Sequence, residues 1–311
     1  MATEDQAERL HHRSKQLETQ FGHPQELWDE LVRRVQEEAI TQFRDVQDEW
    51  LRLMWSIDAY RVAGVPPRAM GKATVETGQR LAAIYRSKGN WFATLLALLL
   101  QNRTEQQIRP RVRVQGFSQP HQIDLAWPAR HEDPLFCVET KVTGAPAFGS
   151  TPSRSALADF SNRRKELKFA ATDLKLFRRQ QATSIEHWGA WREKAPPKTY
   201  FLWAARLRTN GKHRDEIQRL IVEAQALVNT YLEGAGICAW RERSDHSGYE
   251  AVAVPASARV TELDDVLYRI ASEIREIARS AGGTPEPVRP SETAVDITQL
   301  APDESGGEQD K

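Results

Sequence analysis

Between Arg109 and Lys141 the apolar residues recur with a period of two, and on both sides of that stretch they recur at helical spacing. That switch constrains the fold more than any other feature. A period-two strand buries one face of a sheet, and the flanking helical stripes supply the surfaces that cover it. Three β segments are predicted, Arg111 to Val114, Gln122 to Trp127 and Leu135 to Lys141, punctuated by Pro120, Pro128 and Pro134. Upstream, the stripe from Gln25 to Ala63 predicts one long helix or a helical hairpin, which Gly64-Val65-Pro66-Pro67 breaks. A second helix is predicted from Val75 to Arg86, and Gly89-Asn90 predicts a stop and a fresh N-cap for a third, from Trp91 to about Gln107.

Downstream, a Gly/Pro/Ser loop from Gly144 to Ser155 precedes helical spacing at Leu157, Phe160, Leu167, Ala170, Leu174 and Phe177. Thr199 to Leu207 predicts a fully buried strand. Asn210-Gly211 turns the chain into a helix from Arg214 to Glu233, which Gly234 and Gly236 are expected to end. Strands at Ile237 to Arg241 and Tyr249 to Val254 precede a last helix over Leu263 to Ile277. The expected class is α/β (α+β): a mixed sheet flanked by helices, with an N-terminal helical region at 1–88 and a core at 89–280.

Past Ser280 the composition collapses to Gly, Pro, Ser, Thr and acids. Seven acids and two bases over 281–311 give −5, which predicts a disordered acidic tail. The whole chain balances 43 Lys+Arg against 43 Asp+Glu, so the tail masks a body of about +5. A nucleic-acid partner would therefore be met by a local basic patch. The longest nearly apolar run, Trp91 to Leu100, is far short of the ~20 residues that cross a bilayer. The first residues lack a cationic and apolar leader, which predicts a cytoplasmic protein. Cys137 and Cys238 each sit in a β-type run and are expected to be buried and reduced. His11, His12, His121 and His131 have no partners at zinc-ligand spacing, Gly234-Ala235-Gly236 follows a helix rather than opening one, and no P-loop occurs.

One cluster carries chemistry. Asp124 lies within the second β segment, and Glu139 and Lys141, two apart in the third, share a face of the pleat. Three ionisable groups on apolar strands are costly to bury unpaired. A divalent cation would offset that cost, because two carboxylates supply the hard oxygen ligands that Mg²⁺ takes, with waters and a substrate phosphate completing the shell. Lys141 could then hold the attacking water or neutralise charge building on phosphorus.

An Asp followed fifteen residues later by Glu-Thr-Lys, on strand-turn-strand, resembles the PD-(D/E)XK nuclease superfamily over about Trp91 to Leu207. The resemblance implies a restriction-endonuclease-like sheet, Asp124 and Glu139 as metal ligands with Lys141 as the motif lysine, and Mg²⁺, with Mn²⁺ as a substitute. It implies hydrolysis of DNA phosphodiester bonds, in restriction or anti-phage defence, with a homodimer for double-strand cutting. Ile123 stands where the motif name puts Pro, and Trp91-Phe92-Ala93 offers no acid at the start of the first core helix; Glu105 is a poor substitute. The rival reading is a catalytically inactive nuclease fold that binds nucleic acid or organises an assembly; an RNA-cleaving effector is a third.

Residues 154–179 carry eight bases and three acids, and Arg163, Arg164 and Lys168, nearest the helix start, are the expected nucleic-acid contacts. Arg109, Arg111 and Arg113 alternate along one strand and are expected to share a face, either tracking a phosphate backbone or guarding a sheet edge. His121 could approach Asp124, a hydrogen-bonded loop histidine being the plainer expectation. Trp188 and Trp191 could stack bases, though core anchoring is the simpler role.

Overall fold

The computed structural model describes residues 4–65, 77–128, 134–147, 152–158, 160–183, 196–208 and 213–280; the side chains of 4–7, 10, 77–86, 178–183, 213 and 280 are left out. The acidic tail, Trp188, Trp191 and His131 lie outside the described residues.

The fold is a mixed α/β arrangement around a seven-stranded sheet in the order β1-β2-β3-β4-β5-β6, with β7 also on β5. The strands are β1 (Arg109–Gln115), β2 (Pro120–Trp127), β3 (Phe136–Thr143), β4 (Lys198–Arg206), β5 (Gly234–Glu242), β6 (Tyr249–Val252) and β7 (Val260–Glu262). β1, β2 and β3 form an antiparallel meander, whereas β3, β4 and β5 run parallel. The two parallel crossovers are made by helices α5 (Phe160–Thr183) and α6 (His213–Val228). Both cover one face, where Leu167 and Ala171 of α5 and Ile217, Leu220 and Leu227 of α6 meet Phe201, Trp203, Ala235 and Ile237.

The opposite face is covered by α4 (Thr77–Thr104) and α7 (Leu263–Ser280), with α2 (Pro24–Glu37) and α3 (Gln47–Val62) packed outside them in one continuous core. In α2 the residues Trp28, Leu31 and Val35 recur at helical spacing and are all buried, and Trp28 stacks on Trp91 of α4 at 5.4 Å between ring centroids. Each such side chain removed from water contributes on the order of 1.5–3 kcal/mol. The amides of Phe43 and Arg44, in a 3-10 turn (Phe43–Val46), donate to Asp264 at 2.7 and 2.9 Å, tying the N-terminal helices to the start of α7.

The chain at 25–63 takes the two-helix form of the two expected there, with the 3-10 turn between the helices. A further helix, α1 (Glu4–Phe21), precedes them within the expected N-terminal helical region. Two local expectations are corrected. Gly89-Asn90 does not stop a helix: α4 continues through it, across the boundary expected between 88 and 89. Nothing lies within 4 Å of where a Gly89 Cβ would sit, and the neighbouring Lys88 is buried and anchored 2.5 Å from Asp58 of α3, so tertiary contacts override the local stop signal. Gly234 and Gly236 belong to β5 and not to a helix end. A Cβ on Gly236 would lie 3.0 Å from Leu202 and 3.2 Å from the backbone of Leu263, so the glycine lets α7 press onto the sheet.

Candidate catalytic site

The site forms where β2 and β3 part. Their ladder pairs Trp127 with Phe136, Ala126 with Cys137 and Leu125 with Val138, then stops. At the next position Asp124 turns its carboxylate onto β3, and Oδ2 accepts from the Thr140 amide at 2.7 Å and the Thr140 hydroxyl at 3.0 Å. The side chain has replaced a rung of the sheet.

The reason lies on the neighbouring strand. Arg111, opposite Asp124 in the register, has φ +56, and the pairing gap falls there, between Pro110–Leu125 and Val112–Ile123. Leu125 packs with the α4 side of the sheet, while Ile123 packs with Val114, Cys137 and Leu174 of α5. The pleat therefore changes face at Asp124. The same interruption overturns the expectation that Arg109, Arg111 and Arg113 share one face: Arg109 pairs with Ala126 and Val112 with Ile123, both on the α5 side, so Arg113 falls opposite Arg109. All three arginines are exposed.

Glu139 and Lys141 share a face, as expected. They pair in parallel with Phe201 and Trp203, which belong to the apolar layer under α5 and α6. Lys141 Nζ lies 3.7 Å from Glu139 Oε2, with side-chain exposures of 28% and 19%. Burial against that layer pushes the Glu139 carboxyl up to about 8, the nearby Asp124 charge pushes the same way, and Lys141 only partly opposes them. The sheet thus brings Asp124, Glu139 and Lys141 together, with the two acids close enough to repel.

Glu166 of α5 adds to that repulsion. In the sequence Glu166 is one of three acids among eight bases over 154–179; the signal that singles it out is its helical stripe with Arg163, Phe169 and Asp173. Arg163 donates to Glu166 at 2.7 Å, which places it on the site's side of α5. The other two expected contacts are engaged elsewhere. Arg164 donates to Glu223 of α6 at 3.0 Å, and Lys168 Nζ sits 4.8 Å from the Tyr231 ring centroid. The i,i+4 spacing of 164 and 168 turns one toward α6 and the other toward Tyr231, just past its end.

His121 follows the plainer expectation. Its Nε2 lies 2.8 Å from Asp173 Oδ2, while the Ser118 amide and hydroxyl donate to Asp173 Oδ1 at 3.0 and 2.7 Å. Serine and histidine both bind the acid and not each other, so this is a clamp on the β1–β2 turn and not a nucleophile-base relay. Burial by itself would raise the Asp173 carboxyl, but these hydrogen bonds outweigh it and hold it below its ordinary value.

Among the described residues no group of three or more His, Cys, Asp or Glu is arranged to hold a metal. The donor set here is two carboxylates, which suits a cation that keeps most of its waters, as Mg²⁺ does, and is poor for zinc. Cys137 and Cys238 are free and buried. No helix among the described residues is long and apolar enough to cross a membrane.

A second polar centre lies in the interior, beyond what sequence reasoning found. Asp58 of α3 accepts from Lys88 of α4 at 2.5 Å and from the Tyr249 hydroxyl at 2.6 Å, and Arg206 Nε donates to Tyr249 at 2.9 Å. This network borders a cavity of about 680 Å³ at the carboxyl ends of β4 and β5, away from Asp124, Glu139 and Lys141. Compared with known proteins, no family model, no curated protein and no solved structure matches this chain.

Proposed function

We propose that the chain is a Mg²⁺-dependent endonuclease of the PD-(D/E)XK type that hydrolyses DNA phosphodiester bonds, its sheet being the restriction-endonuclease-like core of that superfamily. One observation carries this reading: two carboxylates and an amine from β2 and β3 meet where the ladder between those strands ends, half-open to solvent and backed by apolar residues. An ordinary sheet edge would leave such charges solvated or fully paired. Here the Asp124 charge acts on a largely buried Glu139, whose one ion-pair partner among the described residues is Lys141 at 3.7 Å.

Asp124 and Glu139 are the residues that would hold the cation. Bound there, Mg²⁺ would supply charge neutralisation at the scissile phosphate and a more acidic water. Thr140 fixes one Asp124 oxygen through two hydrogen bonds, and the other oxygen has no hydrogen-bond partner among the described residues. Lys141, held by Glu139, can orient the attacking water and stabilise charge on the phosphoryl oxygens. Arg163, exposed and paired to Glu166 on the site's side of α5, would meet a flanking phosphate. Cutting both strands of a duplex with single sites would call for a homodimer, and a cytoplasmic role in restriction or anti-phage defence fits a nuclease without nucleotide-hydrolysis motifs; both belong to this proposal.

The small donor set favours one alternative, an inactive nuclease fold retained for nucleic-acid binding or assembly. Incubation with plasmid DNA, phage DNA and RNA in Mg²⁺, Mn²⁺, Ca²⁺ or EDTA separates the readings. Cleavage in Mg²⁺ that falls at least about 100-fold in Lys141→Ala, with DNA affinity in Ca²⁺ little changed, supports the enzyme. Binding without cleavage by the parent protein on every substrate supports the alternative, and cutting confined to RNA changes the substrate.

A further inference from the structure

The β1–β2 hairpin combines three features that edge protection does not require together. Its stem exposes Arg109, Arg111 and Arg113, and residues 109–123 contain no acid. Its tip presents Phe117 with 51% of its surface exposed, and the adjoining α5 presents Phe169 at 48%. The tip is also fixed in place. Gly116 closes the turn onto Gln119, the Phe117 amide donates to the Asp173 carbonyl at 3.1 Å, and Ser118 and His121 hold the Asp173 carboxylate. A Cβ on Gly116 would lie 2.1 Å from Asp173 Oδ2, which shows how closely the tip is pressed to α5. The His121 ring meets Phe169 edge-on at 5.4 Å between centroids, so both phenylalanines are braced by the same His121–Asp173 clamp.

We infer that this hairpin and Phe169 form a grip for unpaired DNA, in which Phe117 and Phe169 stack on exposed bases while the exposed stem arginines, set on both faces of β1, attract the phosphates by charge. The inference rests on the proposed nuclease site and names its substrate class, single-stranded or locally opened DNA. Its placement fits. Asp124 is three residues along β2 from His121, about 10 Å of strand, and Phe169 is three residues, about 4.5 Å of helix, beyond Glu166, whose charge is felt at Glu139.

Two other occupants fit less well. A stacked duplex offers no base faces to a phenylalanine. A second copy of the chain would bring the same acid-free, arginine-bearing hairpin against this one, and like charges would oppose the contact. Aromatic platforms beside a cationic surface are what single strands select, each stacked base contributing on the order of a five- to hundred-fold change in affinity.

The test is fluorescence anisotropy of the full chain, in Ca²⁺ and separately in EDTA, with a short mixed-sequence single strand, the matching duplex and a duplex carrying a central bubble. A 2-aminopurine reporter in the single strand reads stacking directly. The single strand and bubble are expected to bind at least about 10-fold tighter than the duplex. Phe117→Ala and Phe169→Ala should each weaken that binding about 5- to 100-fold and relieve the 2-aminopurine quench, with Phe117→Tyr restoring both. Circular dichroism checks that the exposed-site variants stay folded, and a misfolded alanine variant leaves Phe117→Tyr against Phe117→Leu as the comparison. Equal affinity for single strand and duplex, or alanine variants that bind like the parent, overturns the grip and leaves the arginines as edge guards. A drop in oligomeric mass in Phe117→Ala with unchanged DNA affinity overturns it in favour of self-association. Because these readouts need no cleavage, an inactive protein that still stacks bases through Phe117 refutes the nuclease and spares the grip; a nuclease indifferent to Phe117 does the reverse.

Discussion

Replacing Glu139 by Gln should stabilise the metal-free protein at alkaline pH. The carboxyl is moved from 4.5 up to about 8 by burial first and by Asp124 second, so its ionised form is penalised in the fold and not in the unfolded chain. A raised folded value means that the group's contribution is fully present below about 4.5 and is lost as pH rises through about 8. At ~1.4 kcal/mol per pH unit, the interval from 4.5 to about 8 sets a ceiling of roughly 5 kcal/mol. Residual exposure of Glu139 and relaxation of the fork reduce this, so a gain of about 2 kcal/mol or more is expected for Glu139→Gln at pH 8.5, with less than about 1 kcal/mol at pH 5. The assay is urea denaturation in EDTA at pH 5, 7 and 8.5, comparing midpoints at constant m. Adding Mg²⁺ should stabilise the parent at pH 8.5 and leave the variant nearly unmoved, because the cation offsets the repulsion that glutamine has already removed. A stability difference that stays flat across the three pH values would refute the burial and repulsion argument.

Other expectations follow from the same structure. Asp173→Asn should flatten the acid limb of the stability curve: a depressed carboxyl stabilises above its unfolded value, and that contribution is lost as pH falls through its folded one, which denaturation between pH 2 and 5 reads out. Asp58→Ala leaves Lys88 buried without its closest carboxylate and should cost about 3–5 kcal/mol by chemical denaturation, with full-length protein still monodisperse. Asp124→Asn keeps the Thr140 contacts at lower strength but removes a charge from the fork, so titration calorimetry with Mn²⁺ should show weaker uptake, and unchanged uptake would remove Asp124 from the donor set.

The periodicity carried the sheet from β1 to β6 because β3 to β6 keep their alternation or buried run and β1 and β2 lose theirs only at Arg111 and Asp124, and Cys137, Glu139 and Lys141 sit on one face through the pleat alone. The misreadings share a physical origin. Gly89 and Gly236 look like local stops, but a glycine also permits close approach, and only the position of Leu263 against β5 or of Asp58 against Lys88 decides which use applies. β7, three residues long, carries too little pattern to be seen before β5 is there to receive it.

At the site the acids and the lysine were legible, because charge inside an apolar strand is an anomaly in one dimension. What reads them out in three was not. The pleat reversal at Arg111 and the Thr140 contacts of Asp124 depend on cross-strand register, which no spacing along one strand encodes. Glu166 and Asp173 were hidden in a helix that reads as basic on average. Averaging charge over 154–179 blurs its faces: the Glu166–Phe169–Asp173 stripe turns to the fork and the hairpin, while Arg164 turns to α6 and Lys168 to Tyr231, just past its end. Basic content alone therefore overstates how much of α5 can meet a phosphate. The exposed cations best placed to do so are Arg163 and the three arginines of β1, and charge reversal at Arg113 should weaken DNA binding more than reversal at Arg164, an ordering that anisotropy at two salt concentrations would confirm or invert.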